Sequence, residues 1–248
     1  MPNTQFLSTM YDTRPLNTRV RELPQMYAGH NAELLYNNIG LRQQRTKRFP
    51  GETDLQYAAR IGQEITRPLV GRLDFDSTYA FRVTPSRLTY NAKDQIMQAR
   101  CDIKPVLESG QTTSRKAFVI RHQPQVDNTY TVTDKDGVKR TVEEKKFNEY
   151  GIIPVTGMRL PNAVSDPVEI SFRMDPADAK KFQGSMNVLI IGTLETPSIS
   201  YEEINRSPTA ENPGTYLAKY YYLHIKLTDI WFYDAPSGKI IKKLGDGR

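Results

Sequence analysis

The sequence predicts an α+β protein in which an N-terminal arm and a helical hairpin pack on a mainly antiparallel β-sandwich. Apolar residues recur at helical spacing between residues 30 and 66, and the pattern changes to period-2 alternation from residue 72. A strand motif also occurs twice, as Phe81-Arg82 and as Phe172-Arg173. The chain has 14 tyrosines and 16 prolines, a composition that favours short strands over long helices.

The first segment, residues 1–28, is predicted to be an irregular arm because prolines interrupt it repeatedly. Its apolar side chains predict packing, either as a strap over the protein's own core or as an arm that docks on a neighbouring molecule. We assign 1–70 to the arm and helical hairpin and 71–248 to the β-rich body. The two parts are expected to form one compact unit.

Two helices are predicted after the arm. The first covers about residues 30–48, with Asn31 as its N-cap. The second runs from Thr53, its predicted cap, to Thr66. Apolar and small residues recur along the second helix at helical spacing: Leu55, Ala58, Ala59, Gly62 and Ile65.

The β-rich body contains an internal repeat, at about 72–110 and 166–197. Each copy has alternating apolar residues, Phe-Arg, a break before a proline, Ala-Lys and a second strand-like run. The runs are Ile96 to Leu107 and Met186 to Thr196, and the second of them predicts a central, buried strand. The repeat therefore predicts a sandwich built from two related strand–turn–strand units.

Both breaks in the repeat, at Thr84-Pro85 and Asp175-Pro176, predict a short helical turn with proline in its first position. Phe81 and Phe172 are predicted core residues. Replacement of either by alanine is expected to cost about 3–5 kcal/mol of stability.

The remaining segments predict a hairpin, a loop and a closing pair of strands. Asp134-Lys135-Asp136-Gly137 lies between two alternating runs and predicts the hairpin turn. The segment from Pro197 to Gly214 is polar and contains three prolines, which predicts a flexible connection or an exposed contact loop. Tyr216 to Tyr233 predicts a long strand, and Lys239-Ile240-Ile241 predicts its return partner.

Composition argues against several site classes. Cys101 is the single cysteine, so an internal disulfide and a cysteine-based zinc site are excluded, and burial as a small hydrophobe is expected. The histidines His30, His122 and His224 lie far apart, without a zinc-hydrolase motif. We predict no catalytic residue, no metal and no cofactor, and therefore a protein that is not an enzyme.

Two sets of residues are candidate contacts. The chain carries a formal charge of +6, and its densest basic run could bind an anionic partner: Arg42, Arg45, Lys47 and Arg48. The alternative is an ordinary solvated helix end, where the dipole favours cations. The last long strand carries aromatics that could contact a protein or be covered by the arm or helices: Tyr220, Tyr222, Trp231 and Tyr233.

The sequence as given contains no apolar run of transmembrane length and no signal-peptide pattern at Met1. Two locations follow from this. The protein is cytoplasmic, or it is periplasmic or envelope-associated after removal of a signal peptide.

Several turn and strand motifs resemble those of an uncharacterised bacterial family with a domain of unknown function. They are Tyr90-Asn91-Ala92-Lys93, the Phe-Arg step with Ala-Lys, Gly192 to Pro197, and Tyr233 to Lys239. The resemblance covers residues 30 to 243. It implies an exported, envelope-associated β-rich protein of Gram-negative bacteria, with no catalytic residues to carry over.

Three functional hypotheses follow, in this order. The first is a non-enzymatic structural or protein-interaction protein, a subunit of an envelope or secretion assembly that binds a protein partner or itself. The second is a nucleic-acid-associated protein that uses the run Arg42 to Arg48. The third is a hydrolase in which carboxylates converge on a cleft: Asp74, Asp76, Glu143, Glu144, Glu202 or Glu203.

Overall fold

The computed structural model describes residues 11–108, 110–133, 137–158, 168–209 and 213–245. Residues 1–10 of the predicted arm, the turn residues Asp134 and Asp136, and residues 166–167 of the second repeat unit lie outside the described residues. The helices are α1 (Ala32–Arg45), α2 (Asp54–Thr66) and α3 (Pro176–Phe182). The strands are β1 (Tyr79–Val83), β2 (Arg87–Asn91), β3 (Ile96–Cys101), β4 (Ile103–Glu108), β5 (Gln111–Thr133), β6 (Lys139–Gly157), β7 (Val168–Arg173), β8 (Met186–Arg206), β9 (Thr215–Asp234) and β10 (Ile240–Lys243).

Both predicted helices of the hairpin are present and begin at the predicted caps. The Asn31 side chain accepts a hydrogen bond from the backbone N–H of Leu34, at 3.0 Å, and so caps α1. Thr53 and Gln56 form a capping box at the start of α2, in which each side chain meets the other residue's backbone. Each cap satisfies backbone donors that the first turn of a helix leaves unpaired.

The strands form one large mixed sheet and one small sheet. The seven-stranded sheet has the order β1-β8-β9-β6-β5-β4, with β10 also paired to β9. β6 and β9 run parallel, whereas its other pairs are antiparallel. The three-stranded sheet has the order β2-β3-β7 and is antiparallel. The predicted α+β class, with two N-terminal helices and mainly antiparallel sheets, is confirmed.

A shared hydrophobic core joins α1 to both sheets. Leu35 and Ile39 of α1 are buried in the same cluster as strand residues of each sheet. The rings of Phe172 and Phe232 lie 4.5 Å apart between the small and the large sheet. Phe81 and Phe172 are both buried, so their prediction as core residues is confirmed.

The described part of the arm is a strap over the large sheet. The backbone N–H of Leu16 donates to the carbonyl of Thr78, and that of Leu23 donates to the carbonyl of Gly238, both at 2.8 Å. Leu16 and Leu23 are buried in a second cluster that also contains Trp231. For residues 11–28, the structure therefore matches the strap alternative.

His30 ties the end of the strap to β1. Its Nδ1 accepts a hydrogen bond from the backbone N–H of Ala80 at 2.8 Å, and its Nε2 lies 2.8 Å from the carbonyl oxygen of Arg14. Burial lowers the pKa of His30, because the charged imidazolium loses its hydration. A neutral ring with its proton on Nε2 satisfies both contacts.

Two predictions at breaks in the β-rich body are wrong. Thr84-Pro85 starts no helical turn and leads directly into β2, whereas Asp175-Pro176 does begin α3. The run from Ile96 to Leu107 is two strands that separate at Asp102 and enter different sheets. Local periodicity is the same on both sides of Asp102, so it carries no signal for a change of sheet.

The predicted loop from Pro197 to Gly214 is largely strand. β8 continues to Arg206, and its register with β9 shifts between Leu194 and Ile199, around Pro197. A bulge tolerates a proline because its residue makes no ladder hydrogen bond. The predicted hairpin is confirmed by its flanks, since Thr133 of β5 pairs with Lys139 of β6.

Candidate interaction surface

The helix α2 contacts the rest of the hairpin through a mainly polar side. The half-buried residues of α2 lie at helical spacing along this side: Tyr57, Arg60, Ile61 and Glu64. The Tyr57 hydroxyl donates to the carbonyl oxygen of Thr46, at the end of α1, at 3.1 Å. This contact joins a polar side chain of α2 to a backbone group of α1.

Arg60 is the centre of this contact. Its guanidinium donates to the carbonyl oxygens of Arg45 and, at 2.9 Å, of Lys47. It also pairs with Glu52 at 2.7 Å and lies over the ring of Phe49, with 4.3 Å between the guanidinium carbon Cζ and the ring centroid. The hydrogen bonds from Arg60 lower the pKa of Glu52 to about 2. Arg60 thus supplies donors to carbonyls that the end of α1 leaves free.

The apolar side of α2 faces away from these contacts. Leu55 is 81% exposed and Ile65 is 66% exposed, and no residue of α2 is buried. A Cβ atom added to Gly62 would meet no other atom within 4 Å. The residues that form the predicted apolar stripe therefore point to solvent over the whole length of the helix: Leu55, Ala58, Ala59, Gly62 and Ile65.

The predicted basic contact set is divided by the fold. Arg42 is buried, donates to the carbonyl oxygens of Arg67 and Pro68, and lies over the ring of Phe75. Its prediction as a contact for an anionic partner is wrong, because these internal acceptors occupy its guanidinium. Helical spacing places Arg42 on the same side as Leu35 and Ile39, and this placement was the available signal.

The other three basic residues are exposed near the turn of the hairpin. Arg48 pairs with Asp54 at 2.5 Å, and Arg45 lies 4.0 Å from Glu64. Lys47 is exposed. Exposed ion pairs of this kind contribute little to stability, but they reduce the positive charge that a phosphate would meet.

The aromatic residues predicted as protein contacts are buried. Trp231 and Tyr233 lie under the strap, and the Tyr233 hydroxyl donates to the carbonyl oxygen of Tyr27 at 2.5 Å. Tyr220 and Tyr222 belong to a third buried cluster on the same face of β9. The exposed-ladder prediction is wrong for all four, and the alternative, that these residues are covered, is confirmed.

Three other tyrosines, Tyr36, Tyr201 and Tyr221, are partly exposed beside α1, next to the buried Tyr150. Tyr221 stacks on Tyr150 with 4.8 Å between ring centroids, and it contacts Tyr36 and Tyr201 at 5.1 and 5.3 Å. Tyr201 is 46% exposed. Because successive strand residues point to opposite faces, Tyr221 lies opposite Tyr220 and Tyr222. The alternation was visible in the sequence, but not which face would be covered.

The histidines lie in three separate environments. His122 and Lys104 both contact the buried carboxylate of Glu149, at 3.2 and 2.5 Å. His224 Nε2 lies 2.8 Å from Ser200 Oγ. Burial and the nearby charge of Arg115 lower the pKa of His224. A cationic neighbour opposes the imidazolium that a general base must form, so this pair is poorly suited to activate a nucleophile.

Five of the six candidate hydrolase carboxylates accept hydrogen bonds from separate local partners. Asp74 accepts from the backbone N–H of Asp76 and from the Ser77 hydroxyl in a local turn. Glu202 accepts the backbone N–H of Gly110, whereas Glu203 binds the Tyr201 hydroxyl. Glu143 and Glu144 contact Lys145 and Tyr130. Within the described ranges, no group of three or more potential metal ligands converges.

Two further features of the described residues bear on binding. A cavity of about 410 Å³ lies between the strap and α1, and its wall includes Glu33 and Arg121, which pair with each other at 2.6 Å. Cys101 is buried, as expected, and burial raises the pKa of its thiol to about 12.

Among the residues that the structure describes, no helix has both the length and the apolarity needed to cross a bilayer.

Comparisons with protein-family models, curated proteins and solved structures found no significant match to this chain.

Proposed function

We propose that this protein is a non-enzymatic structural or interaction protein whose contact surface is the apolar side of α2. One observation carries the proposal: α2 turns a mainly polar side towards the protein, where Ile61 is also half-buried, and turns Leu55 and Ile65 towards solvent. A surface helix of a globular protein normally has the opposite orientation. Burial of each of these two side chains by a partner would contribute about 1.5–3 kcal/mol.

The surface is also held rigidly. Thr53 and Gln56 cap α2, and Arg60 joins it to the end of α1 and to Glu52. A partner would thus meet a formed helix and would not have to order it, which lowers the entropic cost of association. The envelope or secretion assembly remains part of the proposal on the resemblance alone.

We further propose that the β-rich body is a sandwich built from the two related units at 72–110 and 166–197. The pairing pattern supports this. The first strand of each unit pairs with the second strand of the other, since β1 pairs with β8 and β7 pairs with β3. Phe81 and Phe172, which occupy equal places in the motif, both lie in the shared core.

Nucleic-acid binding through the basic run ranks second. Arg42 is buried, and Arg45 and Arg48 already lie beside carboxylates. A phosphate-binding face needs cations whose charge is free to displace counterions.

Photo-crosslinking from the apolar side of α2 tests the main proposal. A photoreactive phenylalanine analogue at position 55 of the full chain is expected to give a stoichiometric protein adduct in the producing cells. The adduct should disappear when Ile65→Glu is added. The matched control places the analogue at position 155, because Val155 is also an exposed aliphatic residue, but in β6. Equal adduct from both positions, or none from position 55, would refute the proposal.

A further inference from the structure

We infer that the partner of α2 is a second copy of the same chain, with the two α2 helices antiparallel about a two-fold axis. The inference rests on the proposed function, because it names the occupant of the same surface. Four residues of the outward stripe read large, small, small, large, with spacings of 3, 4 and 3 residues: Leu55, Ala58, Gly62 and Ile65. These four positions have the same size pattern and spacing when read in either direction, and the fifth member of the stripe, Ala59, is also small.

A palindromic stripe matches itself under a two-fold axis. A two-fold axis perpendicular to the helix, at the level of residue 60 along its length, brings Leu55 of one copy opposite Ile65 of the other. It also brings Ala58 opposite Gly62. The same patch then serves on both subunits, as an isologous interface requires. The small residues at the centre permit close approach of the helix axes, and the large residues fill the space at both ends.

The charges at the ends of α2 favour the antiparallel arrangement. The side chain of Asp54 is 93% exposed and that of Arg67 is 60% exposed, although each already pairs within its own chain, Asp54 with Arg48 and Arg67 with Glu64. Antiparallel pairing brings position 54 of one copy beside position 66 of the other, next to Arg67, so that opposite charges meet. Parallel pairing would bring Asp54 beside Asp54. The helix dipoles also favour the antiparallel arrangement, because it places the positive end of each helix beside the negative end of the other.

The stripe is less suited to a lipid surface than to another helix. Only Leu55 and Ile65 on it are large, and Ala58 and Gly62 would insert little apolar area into a bilayer. The helix has 13 residues, so one helix pair buries less than the roughly 1,200 Å² typical of a stable interface. We therefore expect a concentration-dependent dimer that dissociates in the micromolar range.

Mixed disulfide formation tests the arrangement of the copies. Ala58→Cys and Gly62→Cys are made in separate full-length chains, mixed and oxidised gently, with buried Cys101 giving little background. Disulfides need Cβ atoms about 3.5–4.5 Å apart, so the mixed 58–62 disulfide is expected to exceed both same-site disulfides. Gln63→Cys mixed with Ala58→Cys is the matched control, because position 63 lies off the stripe and should cross-link poorly.

Preference for same-site disulfides, for control disulfides or for bonds within one chain would overturn the antiparallel pair. Sedimentation equilibrium supplies an independent measurement, over protein concentrations from about 1 µM to 1 mM. Ile65→Glu is expected to raise the dissociation constant at least about tenfold, since each tenfold step corresponds to about 1.4 kcal/mol. Val155→Glu is expected to leave it unchanged.

Three other results would also overturn the second-copy inference. A wild-type monomer at every concentration, with a photo-adduct of another protein at position 55, would leave the proposed function standing. A monomer without any adduct would remove both. Binding of the wild type, but not of Ile65→Glu, to vesicles of phosphatidylcholine with phosphatidylglycerol would identify a membrane as the occupant.

Discussion

The two helices of the hairpin have similar lengths, 14 residues for α1 and 13 for α2, and both begin at well-formed caps. They differ in what their apolar sides contact. Leu35 and Ile39 of α1 are buried in the core, whereas Leu55 and Ile65 of α2 are exposed. Caps and spacing thus specify that a helix forms, but they do not determine which of its sides is covered.

The orientation of α2 has an electrostatic cause. The last turn of α1 leaves carbonyl groups that need donors, and Arg60 supplies them while it pairs with Glu52. These contacts draw the polar side of α2 inwards. In α1 the sheets provide an apolar surface instead, and burial of Leu35 and Ile39 determines the orientation.

The strap contrasts with α2 because its apolar side chains are buried against the large sheet. Its removal is expected to have the largest effect on stability. Deletion of residues 1–28 exposes Trp231 and Tyr233 and removes Leu16 and Leu23. Each buried side chain lost contributes about 1.5–3 kcal/mol, and the sum approaches the whole stability of a typical domain. We expect the cooperative melting transition to disappear in calorimetry. An unchanged transition would mean that the arm serves only to contact a neighbour.

A matched pair of leucines tests the comparison directly. Leu35→Ala in α1 is expected to cost about 2–5 kcal/mol, because it leaves a cavity in the core. Leu55→Ala in α2 is expected to change stability by less than about 0.5 kcal/mol in dilute solution. Urea unfolding of both variants measures the difference. Similar costs at the two positions would show that α2 is covered.

The strap should also respond to pH through His30, whereas α2 contains no histidine. Burial holds the pKa of His30 below its unfolded value of about 6.5. The unfolded chain therefore binds the proton more readily, and stability is complete above that value and falls as pH decreases below it. His30→Gln is expected to flatten this dependence in melting curves between pH 7 and pH 5. The remaining slope should come from His224, whose pKa is also lowered. An unchanged slope in His30→Gln would contradict the assignment.

A small stabilising effect is expected at Gly62. Gly62→Ala should stabilise α2 by up to about 1 kcal/mol in dilute solution, because the added methyl group meets no atom of the chain. Hydrogen exchange of the α2 amides measures this gain. Gly29→Ala is the opposite control, because Gly29 has a φ of +72° and a Cβ atom there would meet the Ala80 carbonyl. Loss of stability at Gly62→Ala would indicate a close contact on that side of the helix.

Local chemistry made several elements predictable. Asn31 and Thr53 precede helices because their side chains can satisfy free backbone donors, and both cap as expected. Phe81 and Phe172 lie in runs where large apolar residues recur at every second position, and both are in the core. The hairpin between β5 and β6 follows from turn residues between two alternating runs.

The candidate site was less predictable, because it depends on what lies across from each residue. The stripe from Leu55 to Ile65 was found by its spacing, but such a stripe ordinarily faces the core. The sequence pattern does not distinguish Tyr221 from Tyr220 and Tyr222 as a contact residue, since alternation separates two faces without saying which one is covered.

By itself, the sequence determined where the two hairpin helices begin, where apolar residues recur at every second position in the strands, and that both repeated phenylalanines belong to the core. These properties depend on neighbours a few residues away, where capping and side-chain spacing act. The tertiary structure alone decided that the strap covers Trp231, that Asp102 divides two sheets, and that α2 turns Leu55 outwards. Those outcomes depend on contacts between groups that are distant in the chain, such as the strap and Trp231, and such contacts form only when the whole chain has folded.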